Sequence, residues 1–164
     1  AMSTLFVDTI NEKTSGNGVL IPGHSAQVLQ QVYTTYFTTT SSSFTDTGIT
    51  LSITPKSTSS KVLILACIQT SNGTGANAAE TAFQIVRGST AIRGFERPIF
   101  AYDASGDQVA ISVNMALSFL DSPSTTSATT YKIQCKTSAG TMRVNDHIVS
   151  GNGCSTLTLM EIAQ

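Results

Sequence analysis

Between Gln108 and Leu120 large apolar residues alternate with small or polar ones. Val109, Ile111, Val113, Met115, Leu117 and Phe119 fall on one side, and Ala110, Ser112, Asn114, Ala116 and Ser118 on the other. Period two is the signature of a β-strand with one buried face. Such a stripe needs a cover. No segment repeats its apolar residues at helical spacing for long enough to provide one, so the cover is a second sheet. Ile49, Leu51 and Ile53 alternate with threonine and serine in the same way, and Tyr131, Ile133 and Cys135 alternate with Thr130, Lys132, Gln134 and Lys136. These strands have one wet face. Strands are predicted near 26–33, 44–53, 61–70, 81–87, 90–95, 108–120, 129–137 and 155–162. About eight strands of this kind make an all-β, antiparallel jelly-roll sandwich.

Two segments break the alternation. Val62 to Ile68 is apolar on both faces, and the last strand carries Leu157 and Leu159 on one face with Met160 and Ile162 on the other. An outer apolar face in an antiparallel sandwich asks for a cover of its own, which makes Leu63, Leu65, Met160 and Ile162 candidate subunit-interface residues. Core packing explains either strand singly; the pair favours an oligomer. Composition strengthens this, because only 12% of residues are charged, tryptophan is absent, and serine and threonine exceed a quarter of the chain. A surface so poor in charge tends to associate. The formal net charge of -1 offers no basic stripe for nucleic acid and no polybasic signal for a membrane surface. No apolar run is long enough to span a bilayer, and no secretory signal is evident. Cys67, Cys135 and Cys154 include no CxxC pair and read as buried free thiols, suited to assembly in a reducing cytoplasm.

Residues 1–24 differ from the rest of the chain. Leu5, Val7 and Ile10 precede a turn-rich stretch, Glu12 to Gly18, and Val19, Leu20 and Ile21 come after it, before Pro22-Gly23. Two short strands flank a tight turn carried by Asn17-Gly18 or Ser15-Gly16. A lone hairpin of this size is barely stable, so the segment is expected to need partners, identical copies first among them. The division is a stalk or anchor segment at 1–24 and a head at 25–164.

The run Leu5 to Ile21 resembles the shaft-to-head segments of bacteriophage tail-fibre-like virion proteins, and Ser155 to Ile162 looks like the last strand of the head that such segments carry. Thr47 to Pro55, Ser60 to Ile64 and Leu120-Asp121-Ser122-Pro123 extend the resemblance through the middle. It implies a homotrimeric jelly-roll head similar to the tumour-necrosis-factor and complement-head group, mounted on a thin stalk. It also implies a virion location after synthesis in the host bacterial cytoplasm, and contact with other virion proteins through the N-terminal segment. Fibre or fibre-tip attachment to the host surface is the first reading. A capsid decoration or head-fibre protein with the same fold is the second.

Strict up-and-down alternation assigns each connection to one end of the sandwich. Connections at 34–43, 72–80, 96–107 and 138–154 fall far from the stalk, and the shorter ones at 54–60, 88–89 and 121–128 fall beside it. Long loops on a rigid scaffold are where binding concentrates. The far loops nominate Asn72, Asn77, Arg97, Phe100, Tyr102, Asp103, Asn145, Asp146 and His147 as receptor-binding candidates, with Tyr102 or Phe100 as a stacking surface for sugar or peptide. The partner implied is a bacterial surface glycan or an outer-membrane protein.

Catalytic chemistry finds little support. Serine is abundant, yet there is no Gly-x-Ser-x-Gly turn, and only His24 and His147 are available as a base. Asp146-His147, adjacent in sequence, point apart if extended, so neither a metal nor a cofactor is expected. His24 lies at the stalk-to-head junction, where a threefold axis would bring copies together. Asn72-Gly73-Thr74 matches a glycosylation acceptor, irrelevant to a protein made in bacteria. Glu80 and Glu96 show no partner at a glycosidase spacing. A polysaccharide depolymerase would need a repetitive strand pattern, which is missing.

Overall fold

The computed structural model describes residues 9, 22–74, 78–102, 109–146 and 153–164. Apart from Thr9, the predicted hairpin at 3–21 lies outside them. Ten strands are found among the described residues: β1 (Ser25–Tyr33), β2 (Phe37–Thr39), β3 (Thr45–Ile53), β4 (Lys61–Thr74), β5 (Ala78–Arg87), β6 (Thr90–Tyr102), β7 (Val109–Asp121), β8 (Thr129–Thr137), β9 (Thr141–Val144) and β10 (Ser155–Ile162). They form two antiparallel sheets. One is four-stranded, in the order β3-β8-β5-β6. In the six-stranded sheet β4 pairs with β7 along one edge; β10 takes Lys61–Cys67 and β9 takes Thr70–Gly73. β1 lies outside β10, and β2 lies outside β9.

The pairing is nested. β5 pairs β6, β4 pairs β7, β3 pairs β8 and β1 pairs β10, so the chain is one long hairpin rolled across two sheets. That winding is the jelly roll expected from the alternation. Ile64, Ile68, Leu117, Leu157 and Leu159 of one sheet and Ile49, Ile53, Phe83, Ile85, Tyr131 and Ile133 of the other form the buried core. Of the β7 stripe, Leu117 is fully covered, Met115 and Phe119 are partly covered, and Val113 stands 36% exposed.

Four segments depart from the expected layout. Asn72 and Gly73 continue β4 instead of starting a loop, because β7 and β9 bracket them with backbone hydrogen bonds. Glu96 to Tyr102 continue β6 despite Pro98. Ala82 pairs Glu96 and Glu80 pairs Phe100, so β6 carries extra residues there, and Arg97 takes a φ of 56°. An edge-strand bulge is where a proline is tolerated. β2 and β9 lie inside connections read as loops and are only three and four residues long.

Both ends of the described head meet at one end of the sandwich, where Gly23 N donates to Ala163 O (2.7 Å) and Ala163 N donates to His24 O (2.9 Å). Nearby Glu161 is a buried carboxylate. It accepts from Gln27 Nε2 at 2.6 Å and from the backbone N–H of Lys56 at 2.7 Å. Burial alone would raise its pKa, but hydrogen bonds from Gln27 and from the N–H groups of Lys56 and Ser57 outweigh it and hold the carboxyl below its ordinary value. The folded value is the lower one. This group therefore stabilises the fold above its ordinary pKa of 4.5 and loses that contribution as pH falls through the folded value. Glu161→Gln is expected to lower the urea midpoint at neutral pH and to flatten its decline in acid. Acid limbs of equal slope for the two proteins would contradict this role.

Candidate functional site

Three surface features stand out among the described residues. The first is the outer face of the six-stranded sheet. Register places Val28, Met160, Leu63 and Leu120 in one row across β1, β10, β4 and β7. The next like-facing rows hold Gln30, Thr158, Leu65 and Ser118, then Val32, Thr156, Cys67 and Ala116. None of these positions is charged. Val28, Val32 and Leu120 are 54%, 56% and 47% exposed. The opposite outer face is a polar ladder: Lys132 Nζ and Gln134 Nε2 donate to Asp46 at 2.9 and 2.6 Å, and Gln84 Nε2 donates to Gln134 Oε1 at 2.6 Å. Charge on the apolar side is confined to its margins, at Lys61 opposite Ile162 and at Arg143 opposite Ser71.

Leu63, Leu65, Met160 and Ile162 all lie on the apolar side, with Leu65 37% exposed. The sequence reading missed Val28, Val32 and Leu120, because alternation alone does not say which side of an edge strand meets solvent. Cys67 and Cys154 are exposed, contrary to the expectation of buried thiols, since Cys67 points outward from β4. Cys135 is buried, and burial pushes its thiol up to about 12.

The second feature is the corner of the four-stranded sheet at the end away from Gly23. Arg97 Nη2 meets Glu80 Oε1 at 3.0 Å, and its guanidinium lies 4.7 Å from the centre of the Phe100 ring. Lys136 Nζ stands 4.6 Å over Phe44 and 3.9 Å from Glu96 Oε2. Glu80 and Glu96, unpaired in the sequence reading, here line one recess of about 160 Å³ with Ser42, Lys136 and Ser138.

Of the other receptor candidates, Asn72 is fully buried in β4. Asn145 is also buried; its Nδ2 donates to Thr35 O at 3.0 Å and its Oδ1 accepts from Ser155 Oγ at 2.6 Å. Asn72 thus belongs to a strand and not to a loop, whereas Asn145 keeps its place in the connection after β9 but is turned inward by these hydrogen bonds. Asp146 is half-buried and accepts from Ser71 Oγ at 2.8 Å. Tyr102 lies in β6, with its side chain outside the described residues, as are Asn77, Asp103 and His147. Among the described residues no three His, Cys, Asp or Glu side chains converge as a metal site.

The third feature is a recess of about 340 Å³ at the open edge between β1 and β3, lined by Tyr33, Tyr36, Phe37, Asp46, Gly48 and Asn145. A β3 bulge opens it. Pairing with β8 is regular at Asp46 and resumes at Thr50, and Gly48 between them has a φ of 84°. A Cβ built on Gly48 meets nothing within 4 Å.

No protein-family model matches the chain, and no curated protein matches it. Among solved structures, that of infectious bursal disease virus Gx strain is similar at 13% identity and a TM-score of 0.36, over 85% of this chain and 39% of that one. The infectious bursal disease virus VP2 subviral particle is similar at 11% identity and a TM-score of 0.34, over 85% of this chain and 38% of that one. The chain therefore spans about two fifths of the length of these neighbours. At such values the likeness assigns neither a family nor an activity.

Proposed function

We propose that the chain is a virion structural protein whose jelly-roll head assembles as a homotrimer and holds a bacteriophage to its host by non-catalytic binding. The resemblance of Leu5 to Ile21 and of the head strands to tail-fibre-like proteins supplies the context. The observation that carries it is the block of three uncharged rows on the outer face of the six-stranded sheet, with Val28, Met160, Leu63 and Leu120 in the first of them. A sheet face of this composition is stable in water when another surface covers it, and a second and third copy offer one by symmetry. With that face in the seam, the far end of the sandwich points outward and presents Arg97 and Phe100. Each head then offers repeated weak contacts, which act together through effective concentration.

Two measurements test this. Light scattering is expected to give three times the chain mass; a monomer would remove the seam. Fluorescently labelled protein is expected to be retained on host cells, with retention by Arg97→Ala/Phe100→Ala reduced about tenfold. Equal retention of the double variant would take these residues out of the contact. Binding to tail-less capsids with none to cells would instead favour the decoration reading.

A further inference from the structure

The edge recess between β1 and β3 differs from the other two in size and lining. Ligand sites generally occupy about 300 to 1,000 Å³ and are mostly apolar with a few fixed polar groups. At about 340 Å³ this recess falls within that range, and the Glu80 and Glu96 recess, at about 160 Å³, falls short of it. The depression holding Cys67 and Cys154 has about 290 Å³, but polar Gln69, Asn114 and Thr156 complete its lining and no aromatic joins them. Of these three, the edge recess is the one that combines ring faces with a carboxylate.

Its parts are held in place from outside. Tyr33 Oη donates to the Thr50 carbonyl, which fixes that ring as a wall. Tyr36 sits 39% exposed at the mouth. Thr47 Oγ1 is occupied, donating to Ile133 O at 2.8 Å, and the Thr35 carbonyl is taken by Asn145. Asp46 is different. Lys132 and Gln134 each take one lone-pair direction of its carboxylate, and a carboxylate has about four. Those two donors also hold its pKa below the ordinary carboxylate value, so at neutral pH it is an ionised acceptor with capacity to spare. Lys132 offsets its charge, which leaves the recess close to neutral and disfavours an ionic ligand.

We infer that this recess binds a neutral pyranose sugar, its apolar ring face against Tyr36 and its hydroxyls donating to the free lone pairs of Asp46. Gly48 joins them in the lining without a side chain, and a Cβ there would meet nothing within 4 Å. The inference deepens the attachment reading and rests on it for purpose, because a sugar site near the far end gives a host glycan somewhere to dock. Sugar binding itself is measured without that reading.

The experiment is saturation-transfer NMR on the full chain with D-glucose, D-galactose, D-mannose and N-acetyl-D-glucosamine, each at millimolar concentration. At least one is expected to receive saturation from the tyrosine rings. Tyr36→Ala is expected to weaken its binding about tenfold by removing the stacking surface. Thr35→Trp, which fills the mouth from an exposed loop position, is expected to abolish it. If no sugar of the four binds, or if both variants bind as wild type does, the inference is overturned. A recess that takes phenol or indole but no sugar overturns it as well. Sugar binding with no retention on host cells would uphold the recess and overturn attachment.

Discussion

Leu63→Lys is expected to convert the proposed trimer to a monomer. Leu63 lies in the middle of the outer row, between Met160 and Leu120, with Val28 beyond Met160. A lysine there meets no carboxylate in its own row or in the two rows after it. In an assembly it would be desolvated without a partner in every copy at once, and the copies would repel each other about the symmetry axis. Association should weaken at least about a hundredfold per contact. The fold itself should survive, because the substituted position is on the outer face and the core beneath it is untouched. Light scattering and a urea melt on the same sample separate the two effects. A trimer that persists with Leu63→Lys would move the seam to another surface.

Asp121→Ala is expected to cost about 3 kcal/mol of stability. Asp121 ends β7 and is 7% exposed. It accepts from Arg87 Nη1 at 3.0 and 2.9 Å and from Tyr131 Oη at 2.7 Å. The contacts join β7 of one sheet to β5 and β8 of the other. Removing the carboxylate strands the hydroxyl of Tyr131, a side chain with no exposure at all. The Arg87 side chain, 32% exposed, can recover water, which keeps the loss below that of a wholly buried pair. Tyr131→Phe alone should cost about 1 kcal/mol. In the double variant the losses should not add, because Tyr131→Phe leaves no hydroxyl to strand. Urea midpoints of the four proteins give the coupling directly, and strict additivity would contradict it.

The sandwich was legible wherever one residue type repeats at period two over a long segment. Tyr131, Ile133 and Cys135 are all fully buried, as their alternation requires. The far end was less legible for local reasons. Asn72-Gly73 has the composition of a turn, yet β7 and β9 bracket it, so pairing overrides propensity, while Glu96-Arg97-Pro98 is carried inside β6 as an edge bulge. β2 and β9 are too short for any period to show. Arg97 and Phe100 were nominated from their place in a far connection, and the two side chains stack on one another at that end. The edge recess was missed, although two signals for it existed. Gly48 inside a strand pattern is the mark of a bulge, and Tyr33, Tyr36 and Phe37 gather three of the chain's eleven phenylalanine and tyrosine residues within five positions. Linking those signals required knowing that β1 and β3 border the same opening, and the sequence contains no measure of that distance.

The pairing of Gly23, His24 and Ala163 also has a mechanical meaning. β1 leaves that end and runs the length of the sandwich beside β10, bonded from Ser25 opposite Ile162 to Tyr33 opposite Ser155. A tether pulling on the N-terminal segment, against a load held at the opposite end, draws β1 along its own axis. Every hydrogen bond of the β1–β10 ladder is then strained in shear at once, instead of being peeled open one by one. Resistance to tension along the strand axis is in this way built into the order of the strands.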